Sequence, residues 1–363
     1  MSNKIGPPTR SGGHLIAGPG GARAILAATG MLMALDYFGF RSFASLGGVS
    51  GGAIPVRLFA AGVSVRRLVE LAVELDFQSL LDPEATMKSV MFEHYYLHAS
   101  RYRNRLPRRG CYNGKRFAKW IEDAADSPGS AWPERFWTLA CEHDAQILLS
   151  QEGVFRRERD GKFHQLCSQT PRLGTAISAS CAVPMIFNSV PLRLGSGEVL
   201  TLHDGALSWE GWQPVSVVVD YFAAAPRDII VCDVGPDTTL YDRISSSIWK
   251  VVCGGRCIPT SKVVAESERK FLLIKPVVTS VSTFEFTASK DKKIEAIMEG
   301  FAATLRALAQ DNRLTEEEYL AGRDIVVSFN GLVKAARRQE PGTLSQQAMS
   351  LLVSKGVLSE SDK

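Results

Sequence analysis

The sequence predicts an α/β fold built on a parallel sheet, and three observations carry that prediction. Residues 14–17 are a short apolar run that stops at Gly18-Pro19-Gly20-Gly21, and residues 22–38 have the Ala, Leu and Met content of a buried helix. Residues 43–46 are a second apolar run, stopping at Gly47-Gly48. Strand, glycine turn, helix and strand in that order make a right-handed crossover unit, which joins parallel strands. The composition agrees: 45% of the 363 residues are apolar and 22% charged, as in a folded chain rather than a disordered or fibrous one. One large domain with insertions, or a domain followed by a tail, is the expected organisation.

The later elements follow in order. Ser64 stands where it can cap a helix over 65–75. Residues 76–130 read as an irregular helical insertion containing a basic run, from Arg101 to Lys119, with eight Lys/Arg and no acid. Strands are expected at 136–141 and 145–150, and Asp160-Gly161 reads as a hairpin turn between two polar strands. Residues 215–219 read as a strand by propensity, and the apolar runs at 228–234 and 271–274 read as strands as well. Ile294, Ile297, Met298, Phe301, Leu305 and Leu308 recur at helical spacing. Thr315 with Glu318 has the form of a capping box opening a further helix.

Several function classes are disfavoured. Lys+Arg 42 against Asp+Glu 38 leaves a formal charge of +4, too small a surplus to point to nucleic acid. No apolar stretch approaches the ~20 residues of a membrane-spanning helix, and the first residues lack the apolar core of a signal peptide. Seven scattered cysteines suit a reducing compartment better than a disulfide framework, so a cytoplasmic protein is expected. Cys253 and Cys257 have neither zinc-ribbon spacing nor a second pair, and no metal is expected. The loop 18–23 lacks Gly-Lys-Ser/Thr, and Arg23 occupies the last glycine position of a dinucleotide fingerprint, which disfavours a phosphate cofactor.

The sharpest local signal is Gly48-Val49-Ser50-Gly51-Gly52, a G-x-S-x-G pattern between a predicted strand and a predicted helix. Its glycines permit a tight turn that lifts the serine hydroxyl out of the sheet edge. The alternative is a glycine turn whose serine merely caps the next helix. The loop from Gly18 to Arg23 also opens a helix, where backbone N–H groups bind developing negative charge, unless it is a plain turn. A serine nucleophile needs a base, yet all six histidines lie at or before position 203, so the late histidine of an α/β-hydrolase triad is missing. His94, His98, His143 and His164 sit in polar surroundings and read as surface or structural residues. Asp204, in Leu202-His203-Asp204-Gly205-Ala206, is the remaining candidate, with a turn role as its alternative.

Taken together and in order, Gly20-Gly21-Ala22-Arg23, Gly48 to Gly52 and Asp204-Gly205-Ala206 resemble the signature of the patatin-like phospholipase family. Between them, residues 176–187 resemble its A-x-x-A-S-x-A-x-P-x-x-F block, Tyr112-Asn113-Gly114 resembles another family segment, and 230–235 resembles the strand after the aspartate. The resemblance covers about residues 13–308. It implies a three-layer α/β/α fold with a mostly parallel central sheet and helical insertions, and a helix rather than a strand over 215–219. Residues 13–308 would be the catalytic domain and 309–363 a C-terminal helical tail with no assigned role.

The activity so implied is lipid acyl hydrolysis, of phospholipase A or lysophospholipase type, on membrane phospholipid or another acyl glycerolipid, without cofactor or metal. Ser50 would be the nucleophile and Asp204 its base; an ordinary carboxylate (pKa ~3.9) is a poor base at neutral pH, so Asp204 must sit in a desolvated site. Gly20, Gly21 and Gly51 would supply the oxyanion donors, and Arg23 would brace the loop or meet an anionic headgroup. Two positions depart from the pattern: Pro19, which has no N–H, replaces a glycine, and so does Ala24. Acyl transfer on the same Ser–Asp pair, or a catalytically weak scaffold spoiled by Pro19, are the alternatives. The run from Arg101 to Lys119, interleaved with Tyr102, Leu106, Tyr112 and Phe117, reads equally as a peripheral membrane contact or a solvated face. Trp209 and Trp212 read as core or as acyl-pocket residues.

Overall fold

The computed structural model describes residues 10–99, 106, 108–124, 132–143, 145–157, 161–208, 210–235, 271–336 and 340–359. Asp160, Trp209, the pair Cys253 and Cys257, and residues 101–105 of the basic run lie outside the described residues. The chain opens with β1 (Arg10–Ala17), α1 (Gly21–Tyr37) and β2 (Phe40–Val49), then α2 (Ala53–Ala60), α3 (Val65–Glu74), α4 (Met87–Ala99), β3 (Gly110–Tyr112) and α5 (Lys115–Asp123). Next come β4 (Phe136–Glu142), β5 (Ala145–Ser150), β6 (Gly153–Arg157), β7 (Phe163–Cys167), α6 (Leu173–Ser180), β8 (Met185–Phe187), β9 (Val190–Arg193) and β10 (Val199–Asp204). The remainder is α7 (Val215–Phe222), β11 (Ile229–Cys232), β12 (Leu272–Ile274), α8 (Lys290–Gln310), α9 (Glu316–Ala336) and α10 (Thr343–Ser354).

The expected crossover unit is present: β1 pairs in parallel with β2, Leu15 opposite Leu46 and Ala17 opposite Gly48. Parallel pairing continues through β12-β11-β1-β2-β4, from the β12 edge of the sheet inward. Beyond β4 the short connections to β5, β6 and β7 permit only antiparallel pairing. Strand β10 returns to the end of β4, also antiparallel, with His203 opposite Cys141 and Asp204 opposite Ala140.

Alternation along the strands divides the core into two layers. Leu15, Ile230, Cys232, Phe136 and Ala140 face one side, with α1, α2, α3, α6 and α8. Ile16, Ile229, Val231, Trp137 and Leu139 face the other, where α7 brings Val217 and Val218. The result is a three-layer α/β/α fold on a mostly parallel central sheet. The valines of 215–219, strand-like by propensity, are helical because tertiary burial outweighs a helix penalty of a few tenths of a kcal/mol per β-branched residue. Burying a valine returns ~1.5–3 kcal/mol.

The caps read from sequence are formed. Ser64 Oγ accepts from the Arg67 N–H at 3.2 Å. Thr315 N–H donates to Glu318 Oε2 at 2.8 Å while Glu318 N–H donates to Thr315 Oγ1 at 3.2 Å. Helices α9 and α10 place Ile325, Phe329, Leu344, Ala348 and Leu352 in the same core as α1 and α8, so residues beyond 308 are built into the fold. None of the described helices is long and apolar enough to cross a membrane.

Candidate active site

Strand β2 ends extended at Val49 (φ −124°, ψ 132°), and Ser50 then reverses to φ +53° before a single 3-10 turn leads into α2. A left-handed non-glycine residue costs of order 1–3 kcal/mol and persists only where its surroundings hold it. Two buried hydrogen bonds do so here: Ser50 N–H donates to Ser180 Oγ at 2.9 Å, and Thr138 Oγ1 donates to the Gly48 carbonyl at 2.7 Å. The turn leaves Ser50 lining a cleft with its hydroxyl bonded to Asp204.

Asp204 closes β10. Because β10 lies on β4 and β4 on β2, the ends of β10 and β2 converge across 154 residues of sequence. Ser50 Oγ donates to Asp204 Oδ2 at 2.7 Å, and Ala206 N–H donates to Oδ1 at 2.8 Å. Asp204 N–H donates to the Ala182 carbonyl at 2.9 Å, fixing the strand end. Asp204 is only 2% exposed, and burial raises its pKa from 3.8 to about 7 against the lowering effect of the bonds from Ser50 and Ala206. At neutral pH it is therefore divided between a proton acceptor and its conjugate acid.

Gly21 begins α1, so its N–H is one of the donors a helix leaves without an intrahelical acceptor. Its φ is +56°, and a β-carbon there would collide with the carbonyl of Thr283. That carbonyl accepts the N–H of Ala22 at 2.9 Å, which pins the turn and occupies the next donor. A β-carbon on Gly51 would strike the carbonyl of Gly21, so the two loops touch. Ser50, Gly21 and Gly51 line one cleft. Gly20, the N-cap of α1, is not among its lining residues; it packs against the Val234 side chain. Arg23 is buried and donates from Nη2 to the Val234 carbonyl at 3.0 Å, bracing the loop after β11.

The cleft spans about 550 Å³ including its open mouth, and its walls are Ile25, Ile54, Phe77, Leu80, Leu81, Phe117, Val183, Phe187, Phe284 and Phe286. Such a lining suits a hydrocarbon chain. Cys181 also lines it; burial and then the Asp204 charge push its thiol well above the usual range, so it stays protonated. Trp212 is half-buried and is not a lining residue.

Among the described residues, no histidine ring bonds Ser50 or Asp204. His14 Nδ1 lies 2.8 Å from Ser45 Oγ; His143 and His164 are exposed, and the side chains of His94 and His98 lie outside the described residues. Among the described residues no group of three His, Cys, Asp or Glu is placed to hold a metal ion. Sequence reasoning assigned no role to Ser180, Thr138 or Thr283. Ser180 lies in the 176–187 block, which was a usable signal, whereas Thr138 and Thr283 carry none.

Comparison with known proteins bears on the same residues. A family model described as Patatin-like phospholipase matches residues 17–209, just over half of the chain. Among solved structures, VipD from Legionella pneumophila is similar at 13% identity, over 97% of this chain and 81% of that one, with a TM-score of 0.44. No curated protein matches the sequence.

Proposed function

The chain belongs to the patatin-like phospholipase family, a family of lipid acyl hydrolases, and from that premise we propose that it is a serine esterase of phospholipase A or lysophospholipase type working through Ser50 and Asp204. The observation that carries the proposal is the 2.7 Å bond to a buried Asp204 from the Oγ of Ser50, which lines an apolar cleft. Asp204 takes the hydroxyl proton as Oγ attacks the ester carbonyl. The N–H groups of Gly21 and Gly51 receive the oxyanion, with Gly20 in the supporting turn. Collapse expels the alcohol, which takes the proton back from Asp204. Water then attacks the acyl-enzyme, giving a proton to Asp204, which passes it to Ser50 Oγ as the acyl–Oγ bond breaks and the fatty acid leaves.

The acyl chain would lie along Ile25, Ile54, Phe77 and Phe286, while Arg23 keeps the oxyanion turn in shape. Residues 13–308 would form the catalytic unit, with α9 and α10 bracing it from behind. The basic residues between Arg101 and Lys119 would face an anionic lipid surface.

A fluorophosphonate probe tests the assignment: it should label the wild-type chain on Ser50 and leave Ser50→Ala unlabelled. An unlabelled wild-type chain would favour the scaffold alternative. Product analysis with an added alcohol separates hydrolysis from acyl transfer.

A further inference from the structure

Among the described side chains of α4, Val90 is the buried one, packing with Cys111 and Met185 of the two-stranded sheet β3–β8. On the helix's other side Met87, Met91, Phe92, Tyr95 and Tyr96 are 43–73% exposed. Met87, Met91 and Tyr95 recur every four residues, with Phe92 and Tyr96 on the adjoining row, so the five make one patch. Single exposed apolar residues are ordinary, but a contiguous patch of this kind marks an interaction surface.

The surroundings say what the patch faces. Lys88 lies on the same helix, Arg108 and Arg109 lead into β3, and Lys115 and Arg116 open α5; all five are exposed. Of the nearby acids, Asp82 accepts from the N–H groups of Gly114, Lys115 and Arg116 and Glu84 from Asn188, Glu93 lies on α4, and at the far end of α5 Asp123 pairs with Lys119 while Glu122 lies 3.9 Å from Arg172. The same unit builds the cleft: Phe187 ends β8, Phe117 lies on α5, and Leu80 and Leu81 stand a few residues before α4, and all four line it.

We propose that α4 is an interfacial anchor: Met91, Phe92, Tyr95 and Tyr96 enter the headgroup region of an anionic bilayer while Arg108, Arg109, Lys115 and Arg116 meet its phosphates, bringing the cleft against the lipid. Aromatic and methionine side chains next to cations fit a lipid surface, where apolar burial and charge attraction add. The benefit to catalysis rests on the proposed esterase activity; the docking itself does not.

The test is flotation of the full chain carrying Ser50→Ala with vesicles of equimolar phosphatidylglycerol and phosphatidylcholine, or of phosphatidylcholine alone. Binding should be about tenfold or more weaker on phosphatidylcholine alone, and weaker by the same order in the added triple variant Phe92→Ser/Tyr95→Ser/Tyr96→Ser. With Tyr95→Trp alone, emission should shift to the blue on adding the mixed vesicles. Absence of flotation with mixed vesicles, undiminished flotation of a folded triple variant, or no emission shift would each overturn the anchor. So would a triple variant that lost self-association while still binding vesicles, which would make the patch a contact between copies. On the Ser50 background the triple variant should hydrolyse a soluble nitrophenyl ester normally. An inert ester assay beside intact flotation would fault the Ser50–Asp204 assignment and leave the anchor standing.

Discussion

Replacing Asp204 by asparagine tests the electrostatics of the candidate site in one substitution. Burial moves this carboxyl from 3.8 to about 7, a shift of about three units, each equivalent to ~1.4 kcal/mol. Ionising it in the folded chain therefore costs roughly 4 kcal/mol more than in the unfolded chain. A raised folded pKa gives a contribution that is whole below the unfolded value, 3.8, declines as pH rises, and is lost above about 7. Asparagine is neutral throughout, so the stability of Asp204→Asn relative to wild type should improve by roughly 4 kcal/mol between acid and about pH 8. Its amide can keep the Ala206 bond through Oδ1 and donate to Ser50 Oγ from Nδ2, so the fold should survive. Urea unfolding of both chains across that range reads the difference. The same variant should lose turnover, since an amide does not accept the serine proton, and wild-type kcat/KM should rise through an apparent pKa near 7. A stability difference that stays flat within about 1 kcal/mol across the range would refute the argument that burial sets this carboxyl. Retention of more than about a tenth of wild-type turnover would refute its role as base.

Ser50→Ala should lower nitrophenyl ester hydrolysis by ~10³-fold or more without changing the unfolding midpoint appreciably. Ser180→Ala leaves the Ser50 N–H a buried donor with no acceptor and should cost ~1–3 kcal/mol in urea unfolding and slow fluorophosphonate labelling; equal stability and labelling rate would show that the turn is held otherwise. Gly21→Ala places a β-carbon against the Thr283 carbonyl and should depress both stability and activity, whereas Pro19→Gly should leave activity unchanged or higher, and a severe loss there with normal stability would count against the oxyanion turn. His143 and His164, replaced singly, should leave most activity in place; a loss as complete as that of Ser50→Ala would require a Ser–His mechanism instead.

By itself the sequence determined what depends on neighbours a few residues apart. The crossover unit of β1, α1 and β2, the Ser64 cap and the Thr315/Glu318 box are local patterns, and the structure forms each of them. The ordered motifs identified the family, and with it the three-layer architecture and the helix at 215–222 that valine propensity contradicts. Tertiary structure alone decided the rest. The return of β10 onto β4, the burial of α9 and α10, and the seating of Gly21 and Gly51 on the cleft while Gly20 turns to Val234 all follow from which distant segments meet. So does the strained Ser50 turn, held by Ser180 from 130 residues away. The ionisation of Asp204 is the clearest case: desolvation is summed over every surrounding element, and no short stretch of sequence carries that sum.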